Sequence, residues 1–254
     1  MSRARKRFGQ NFLVDPGIIS RICRAIAPSP EEHLLEIGPG HGALTGPLLD
    51  SGCHLTAVEI DRDLASELTQ AFSSLTLITQ DVLKLDLDSV FPGQVLRVVG
   101  NLPYNISTPL IFRLLASMER IQDMHFMLQK EVVDRMAATE STRDYGRLTV
   151  MTQVHCRVEK LFEVPPEAFS PRPAVQSAIV RLSPLDTSLN VDRKILDGIL
   201  TRAFSARRKT VRNALSGMIE GSDFTALDID PGLRPENLSV SDYIRCADLL
   251  AARG

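Results

Sequence analysis

Short apolar runs alternate with stretches of helical periodicity through the first half of the chain. The apolar runs lie at residues 33–37, 55–60, 75–79, 96–99 and 124–128. Helices are predicted between the first three of these runs, at residues 43–51 and 63–72. Alternation of strands and helices is typical of a mostly parallel sheet with helices on both faces. The pattern therefore predicts an α/β fold.

A helix is predicted to begin at Asp15, ahead of the first apolar run. The Asp15 carboxylate suits a helix cap, and Pro16 suits the first helical position, where its missing N–H costs no hydrogen bond. The apolar residues that follow share helical spacing and would pack against a core. They are Ile18, Ile19, Ile22, Ala25 and Ile26.

The pattern changes in the second half of the chain. Residues 155–164 and 177–182 resemble strands joined by a proline-rich link, which predicts an antiparallel hairpin at one edge of the sheet. Beyond Pro184 the apolar spacing is helical and no strand is apparent. We therefore expect an α/β domain over residues 1–185 and a small all-helical domain over residues 186–254.

Composition narrows the class of protein further. The four cysteines are far apart and the five histidines show no ligand spacing, so we expect neither a disulfide framework nor a metal site. No apolar run approaches the ~18 residues that a membrane span requires. We expect a cytoplasmic protein with no membrane partner. It should be a monomer, since no exposed apolar helix stripe stands out.

Basic residues are clustered although the net charge is only −2. One cluster stands near the amino terminus and another near the carboxy terminus, and local clusters decide phosphate binding more than the total charge does. Either cluster is also compatible with a solvated face. The carboxy-terminal cluster contains Arg202, Arg207, Arg208, Lys209 and Arg212.

A glycine-rich loop follows the first apolar run. Gly38, Gly40 and Gly42 permit a close approach between backbone and ligand, because glycine has no Cβ. The spacing of Gly38, Gly40 and Ala43 also satisfies the loose dinucleotide fingerprint, so a nicotinamide or flavin oxidoreductase is an alternative. A tight structural turn is a third interpretation.

Two acidic residues stand at the ends of the next two predicted strands. Glu59 lies about 20 residues after the glycine loop, where a carboxylate can accept both hydroxyls of a ribose. Asp81 can accept a hydrogen bond from an adenine amino group. Asp81 taken alone would more often be a turn residue, but as a pair the two carboxylates fit adenosine.

The segment Asn101-Leu102-Pro103-Tyr104 ends the fourth predicted strand. The exocyclic amine of adenine is a poor nucleophile, because its lone pair is delocalised into the ring. The Asn101 side-chain oxygen and the backbone carbonyl of Leu102 or Pro103 can accept both amine protons and release that lone pair. Tyr104 offers a face on which the base stacks. Catalysis would then depend on alignment and preorganised polar groups.

These motifs resemble those of the ribosomal RNA adenine dimethyltransferases over nearly the whole chain. The resemblance implies a Rossmann-like class I methyltransferase sheet with S-adenosyl-L-methionine as the cofactor. It rests on five segments in the family's order: residues 8–13 (FGQNFL), 36–45 (EIGPGHGALT), 101–104 (NLPY), 169–175 (FSPRPAV) and 204–210 (FSARRKT).

The resemblance also implies residue roles. It adds Gln10, Asn11 and Leu13 as cofactor contacts, since the amino-terminal segment of such enzymes folds over the cofactor. It assigns Phe169 to the side of the target base opposite Tyr104, where stacking replaces the contacts of a base drawn from its helix. A core aromatic is the simpler interpretation of Phe169. The remaining cofactor positions are Gly38, Gly40, Glu59, Asp81 and Asn101.

The family's substrate is a pair of adjacent adenosines near the 3′ end of small-subunit ribosomal RNA, each dimethylated. We expect Arg207, Arg208 and Lys209, with Arg212, to lie on one helix and to bind the RNA backbone in a salt-dependent way. The partner would then be small-subunit ribosomal RNA or an immature small subunit. Two further alternatives remain: an assembly factor for which methylation is secondary, and the related large-subunit resistance methyltransferases.

Overall fold

A computed structural model describes residues 11–103, 106–185 and 191–253 of the chain. Its strands are β1 (Phe12–Leu13), β2 (His33–Ile37), β3 (His54–Glu59), β4 (Thr76–Thr79), β5 (Leu96–Asn101), β6 (Ile121–Gln129), β7 (Cys156–Val164), β8 (Phe169–Ser170) and β9 (Ser177–Pro184). Its α-helices are α1 (Pro16–Ile26), α2 (Thr45–Asp50), α3 (Arg62–Ala71), α4 (Leu87–Val90), α5 (Ser107–Leu114), α6 (Lys130–Met136), α7 (Arg147–Gln153), α8 (Arg193–Ser205), α9 (Val211–Ala214), α10 (Gly221–Ala226) and α11 (Val240–Ala251).

Seven strands form one sheet in the order β4-β3-β2-β5-β6-β9-β7. The strands from β2 to β6 pair in parallel, and β9 pairs antiparallel with β6. The predicted mostly parallel sheet is confirmed, and the two late strands are neighbours at one edge, as expected. The chain leaves β2 towards β3 on one side and returns to β5 on the other. A ligand crevice is expected at the carboxyl ends of the strands around this reversal.

The first helix follows its sequence signals. The Asp15 carboxylate accepts a hydrogen bond from the Ile18 N–H at 2.9 Å, and Pro16 occupies the first turn. Ala27 ends the helix in the left-handed conformation, at a φ of 45°. Ile22 and Ile26 are buried in the core cluster that also holds Leu34 of β2. The predicted apolar stripe of α1 is therefore confirmed.

The described residues separate into two compact units. One contains the chain up to Val133 together with Glu159–Pro184, and the other contains Asp134–Val158 and the residues from Leu185 onward. The division differs from the single boundary predicted after residue 185, because residues 134–158 belong with the carboxy-terminal helices. Within that second unit, the Tyr145 hydroxyl donates to the Leu238 carbonyl at 2.8 Å, and the Arg147 Nε donates to Asp197 at 2.7 Å.

Helices α4, α5, α6 and α7 are among those that were not anticipated from the sequence. Helices α6 and α7 have 7 residues each, which is too short for apolar periodicity to stand out. Described residues beyond 190 contain helices and turns without strands, as expected. Among all the described helices, none is long and apolar enough to cross a membrane.

Candidate active site

A cavity of about 310 Å³ opens at the carboxyl ends of β2, β3 and β5, beside the turn that follows β4. This is the reversal point of the strand order, where open α/β sheets bind their ligands. The cavity brings together most of the predicted site residues that the structure describes. They are Asn11, Leu13, Gly38, Gly40, Glu59, Asp81, Asn101, Leu102 and Pro103.

The glycine loop follows β2 and forms one wall of this cavity. Gly38 and Gly40 have φ values of 65° and 61°, which residues with a Cβ rarely adopt. A Cβ on Gly40 would also lie 3.0 Å from the ring of Phe12, so the ring and the loop are in close contact. The loop therefore requires glycine for its conformation and for its contact with β1.

Glu59 ends β3 and is buried. Its two carboxylate oxygens accept backbone hydrogen bonds from Asp61 at 2.9 Å and from Gly40 at 3.4 Å. Burial raises the pKa of Glu59, with these hydrogen bonds acting in the opposite direction. The hydrogen bond from Gly40 links the carboxyl end of β3 to the glycine loop. A carboxylate acceptor therefore lies at the strand end where the sequence predicts one.

Glu36 is a second buried carboxylate in the lining, and sequence reasoning did not assign it a role. It accepts a hydrogen bond from the Thr45 hydroxyl at 2.7 Å. Burial raises the pKa of Glu36 to about 7, and the nearby Glu59 adds to the increase. Its position in a mostly apolar strand, two residues before Gly38, is the signal that could have identified it.

Asp81 follows β4 and lines the cavity. Its side chain accepts a hydrogen bond from the Leu83 N–H at 3.0 Å and begins a short 3₁₀ helix, Val82–Lys84. The preceding residue, Gln80, also lines the cavity, and its N–H donates to the Glu59 carbonyl at 3.0 Å. Asp81 thus serves as a turn residue and still borders the ligand space. Gln80 was not identified as a site residue from the sequence.

Asn101 ends β5, with Leu102 and Pro103 directly after it. The side-chain Nδ2 of Asn101 donates to the backbone carbonyl of Asn11 at 3.0 Å, and the Leu102 N–H donates to the Met127 carbonyl at 3.2 Å. A Cβ on Gly100 would lie 2.5 Å from the Ile37 carbonyl oxygen, which explains a glycine just before the segment. Tyr104 and Gln10 lie outside the described residues.

The two-stranded pairing of β1 with β8 places Phe12 opposite Ser170, and Leu13 opposite Phe169. Phe12 lines the cavity and its ring lies 4.3 Å from that of His41, a contact that the sequence did not reveal. Phe169 is only 5% exposed and belongs to the hydrophobic core cluster. The cavity lining drawn from the described residues does not include it, so this structure favours the core interpretation of Phe169.

The basic carboxy-terminal residues do not lie on one helix, contrary to expectation. Arg202 is on α8, residues 207–209 form the turn after it, and Arg212 is on α9. Arg207 pairs with Glu236 and donates to the Thr142 carbonyl, so this guanidinium is already engaged. Arg208, Lys209 and Arg212 are exposed. Helix α8 ends at Ser205, so the basic segment that follows it lies in a turn and not on the helix.

Within the described ranges, no group of three or more metal-ligating side chains is found. His41 lines the cavity, and its Nδ1 lies 3.0 Å from a carboxylate oxygen of Glu67. The described cysteines form no disulfide with one another.

The sheet, the glycine loop and the carboxylates at successive strand ends define a Rossmann-like class I methyltransferase. The family model described as ribosomal RNA adenine dimethylase matches residues 1–252. The chain belongs to the ribosomal RNA adenine dimethylase family. It is therefore a methyltransferase with S-adenosylmethionine as its cofactor, and the dinucleotide oxidoreductase alternative is wrong.

Related proteins align with this chain over all or nearly all of its length. A Thiobacillus denitrificans protein named ribosomal RNA small subunit methyltransferase A is 53% identical over 257 residues, covering 100% of each chain. A Pseudomonas aeruginosa protein of the same name is 54% identical over 255 residues, covering 98% of this chain and 95% of the relative.

Two solved structures share the fold. A dimethyladenosine transferase from Plasmodium falciparum has a TM-score of 0.80 at 27% identity, covering 96% of this chain and 98% of that one. The 23S rRNA methyltransferase ErmE has a TM-score of 0.72 at 26% identity, covering 95% of this chain and 100% of that one.

Proposed function

We propose that the chain dimethylates the exocyclic amines of two adjacent adenosines near the 3′ end of small-subunit ribosomal RNA. The observation that carries this proposal is the position of Asn101, Leu102 and Pro103 in the same cavity as Glu59 and Asp81. An amine-binding loop and an adenosine-binding pair thus border one space. Relatives named for the small subunit, at over 50% identity, support that substrate over the large-subunit RNA in the name of ErmE.

The lining of the cavity fits S-adenosylmethionine. Gly40 leaves room for close approach, Glu59 can accept from ribose hydroxyls, and Asp81 can accept from the adenine amino group. Asn11 and Leu13 of the amino-terminal segment complete the cofactor positions, with Gln10 proposed from the resemblance alone. Two buried carboxylates, Glu36 and Glu59, have raised pKa values, and a bound cation would stabilise their ionised forms. When bound, the cofactor supplies a methyl group activated by a sulfonium.

The remaining task of the protein is to hold the target amine. We assign the acceptors to the Asn101 side-chain oxygen and to the backbone carbonyl of Leu102 or Pro103. Acceptors fixed in advance favour the pyramidal amine of the transition state over the planar amine of the ground state, and this selectivity lowers the barrier. Stacking of the base on Tyr104 belongs to the proposal, whereas Phe169, which lies in the core cluster, is given a packing role.

The second unit supplies the proposed RNA-binding surface. Arg208, Lys209 and Arg212 are exposed and can reach phosphates, whereas Arg207 is held by Glu236. The same surface supports a second candidate function, in which the protein assists small-subunit assembly by binding and methylates secondarily. A variant that binds subunits but transfers no methyl group separates the two functions. We further propose that the protein is a cytoplasmic monomer.

Transfer of labelled methyl groups from S-adenosylmethionine tests the proposal. Unmethylated small subunits, naked small-subunit RNA and large subunits are compared, and the RNA is digested to identify the product nucleoside. Dimethyladenosine formed in small subunits is the expected result. Label found only in large subunits would reassign the substrate, and an absence of methylated adenosine on every substrate would leave the binding role.

A further inference from the structure

We propose that the backbone carbonyl of Asn11 is a positioning group that fixes the side-chain amide of Asn101. This inference rests on the proposed function of Asn101 as an acceptor for the target amine. An asparagine amide can present either its oxygen or its nitrogen to a substrate, and the two ends have opposite chemistry. The Asn101 Nδ2 donates to the Asn11 carbonyl at 3.0 Å, which assigns the nitrogen to the β1 side.

The opposite rotamer of the amide is disfavoured by this contact. Rotation by 180° would place the Asn101 Oδ1 against the Asn11 carbonyl oxygen, so that two acceptors face each other without a proton. The same rotation would present N–H groups to an amine that must itself donate. The Asn11 carbonyl therefore excludes the orientation of Asn101 that cannot accept from the target.

The Asn11 carbonyl can act in this way because the β1 segment is itself held. Phe12 and Leu13 pair with β8, and the Val14 N–H donates to the Ala168 carbonyl at 2.8 Å. The ring of Phe12 is in close contact with Gly40 of the glycine loop, and its centroid lies 4.3 Å from that of the His41 ring in the same loop. His41 in turn lies 3.0 Å from Glu67 of α3. The carbonyl is thus fixed from β8 and from the glycine loop.

Substitution of Asn101 by Asp separates this role from simple acceptance. A carboxylate accepts at least as well as an amide, but it cannot donate to the Asn11 carbonyl and is repelled by it. When protonated, the same side chain regains a donor. If Asn101 only accepts, Asn101→Asp should stay active at high pH and lose activity on protonation. If the Asn11 carbonyl positions it, the pH dependence has the opposite sign.

The experiment measures single-turnover methyl transfer to small subunits from pH 5.5 to 8.5, as the ratio of Asn101→Asp to the wild-type protein. We expect a loss of roughly 10²–10³-fold at pH 8. The ratio should recover by up to about tenfold per unit as the pH falls, following the protonated fraction. A ratio that stays constant or falls with decreasing pH overturns the proposal. Gln122→Glu, an exposed amide-to-carboxylate change on β6, is the matched control and should follow the wild-type profile.

A second measurement needs no catalysis and remains informative if the proposed substrate is wrong. In the ¹H,¹⁵N spectrum of the free protein, the Asn101 side-chain amide is assigned by its disappearance in Asn101→Asp. We expect those protons to be shifted from exposed-amide positions and to exchange slowly. Phe12→Ala, which removes the ring that supports β1, should move them towards exposed-amide values. Exposed-amide shifts and fast exchange in the wild-type protein would overturn the proposal.

Discussion

At the amino ends of β5 and β6, Arg97 lies between Asp123 and Glu32, with nitrogen–oxygen distances of 2.8 Å to each. At the carboxyl ends of β2 and β3, Glu36 and Glu59 border the cavity, and the ion pairs of the described residues include neither. Both ends bury charge in the same sheet. Only the amino end compensates that charge with an opposite charge.

At the compensated end, the protein itself supplies the opposite charge for Asp123 and Glu32. Arg97 also donates to the Ile26 carbonyl at 2.6 Å, which joins α1 to the network. Burial lowers the pKa of His125, which lies 3.7 Å from Asp123, to about 4, so this imidazole stays neutral near pH 7. The cavity end instead keeps two carboxylates with raised pKa values. The amino end of the sheet therefore serves stability, whereas the carboxyl end is arranged for a cation that the protein does not itself provide.

Arg97→Met removes the cation of the compensated end and is expected to have the largest effect on the free energy of unfolding. The change removes the guanidinium from buried Asp123 and half-buried Glu32, and leaves half-exposed Arg181 3.4 Å from Asp123. It should lower the free energy of unfolding by about 3 kcal/mol. Chemical denaturation measures this loss. Arg143→Met, at an exposed arginine, is the control and should change stability little. Equal losses of unfolding free energy in the two variants would show that the Arg97 ion pairs do not stabilise the fold.

At the cavity end, Glu59→Gln should weaken cofactor binding and leave the fold intact. Loss of charge-assisted hydrogen bonds to ribose hydroxyls is expected to cost about 1.5–3 kcal/mol, or roughly 10–100-fold in Kd. Calorimetric titration with S-adenosylmethionine measures the change. Glu119→Gln, at an exposed glutamate, is the matched control. An unchanged affinity in Glu59→Gln would remove Glu59 from the binding site.

The Glu36→Gln variant tests the cavity end through the pH dependence of stability. Since the folded protein raises the Glu36 pKa from 4.5 to about 7, it holds the proton more tightly than the unfolded chain does. That stabilisation is fully present below pH 4.5 and is lost as the pH rises through 7. Between pH 5 and 8, the wild-type protein should therefore lose on the order of 2 kcal/mol relative to Glu36→Gln. Denaturant titrations at both pH values measure it, again with Glu119→Gln as the control; parallel curves for wild type and Glu36→Gln would contradict it.

The smallest effects are expected in the second unit. Replacing both Arg208 and Lys209 with Gln should weaken subunit binding and reduce the slope of log affinity against log salt by about 0.7–0.9 per lost phosphate contact. Arg207→Gln should instead lower stability by about 1 kcal/mol, because Arg207 pairs with Glu236. Filter binding at several salt concentrations measures the effect of the double variant on binding. Chemical denaturation measures the effect of Arg207→Gln on stability. An unchanged salt slope in the double variant would remove these residues from the RNA surface.

Local signals explain which features were predictable from the sequence. The sheet strands and the glycine loop have short-range patterns, and Glu59 and Asp81 follow from their places at strand ends. The grouping of residues 134–158 with the carboxy-terminal helices depends on distant contacts such as Tyr145 with Leu238, which no local pattern shows. The contact of Asn101 with Asn11 likewise joins residues 90 positions apart.

Methyl transfer by Asn101→Ala is the most direct test of the claim that the carboxyl end of the sheet is the catalytic end. If that claim holds, the unfolding midpoint stays near the wild-type value, while single-turnover transfer to small subunits at saturating S-adenosylmethionine falls by at least roughly 10²–10³-fold. Transfer at the wild-type rate would contradict it, since a site that works without Asn101 does not activate the amine in the way described.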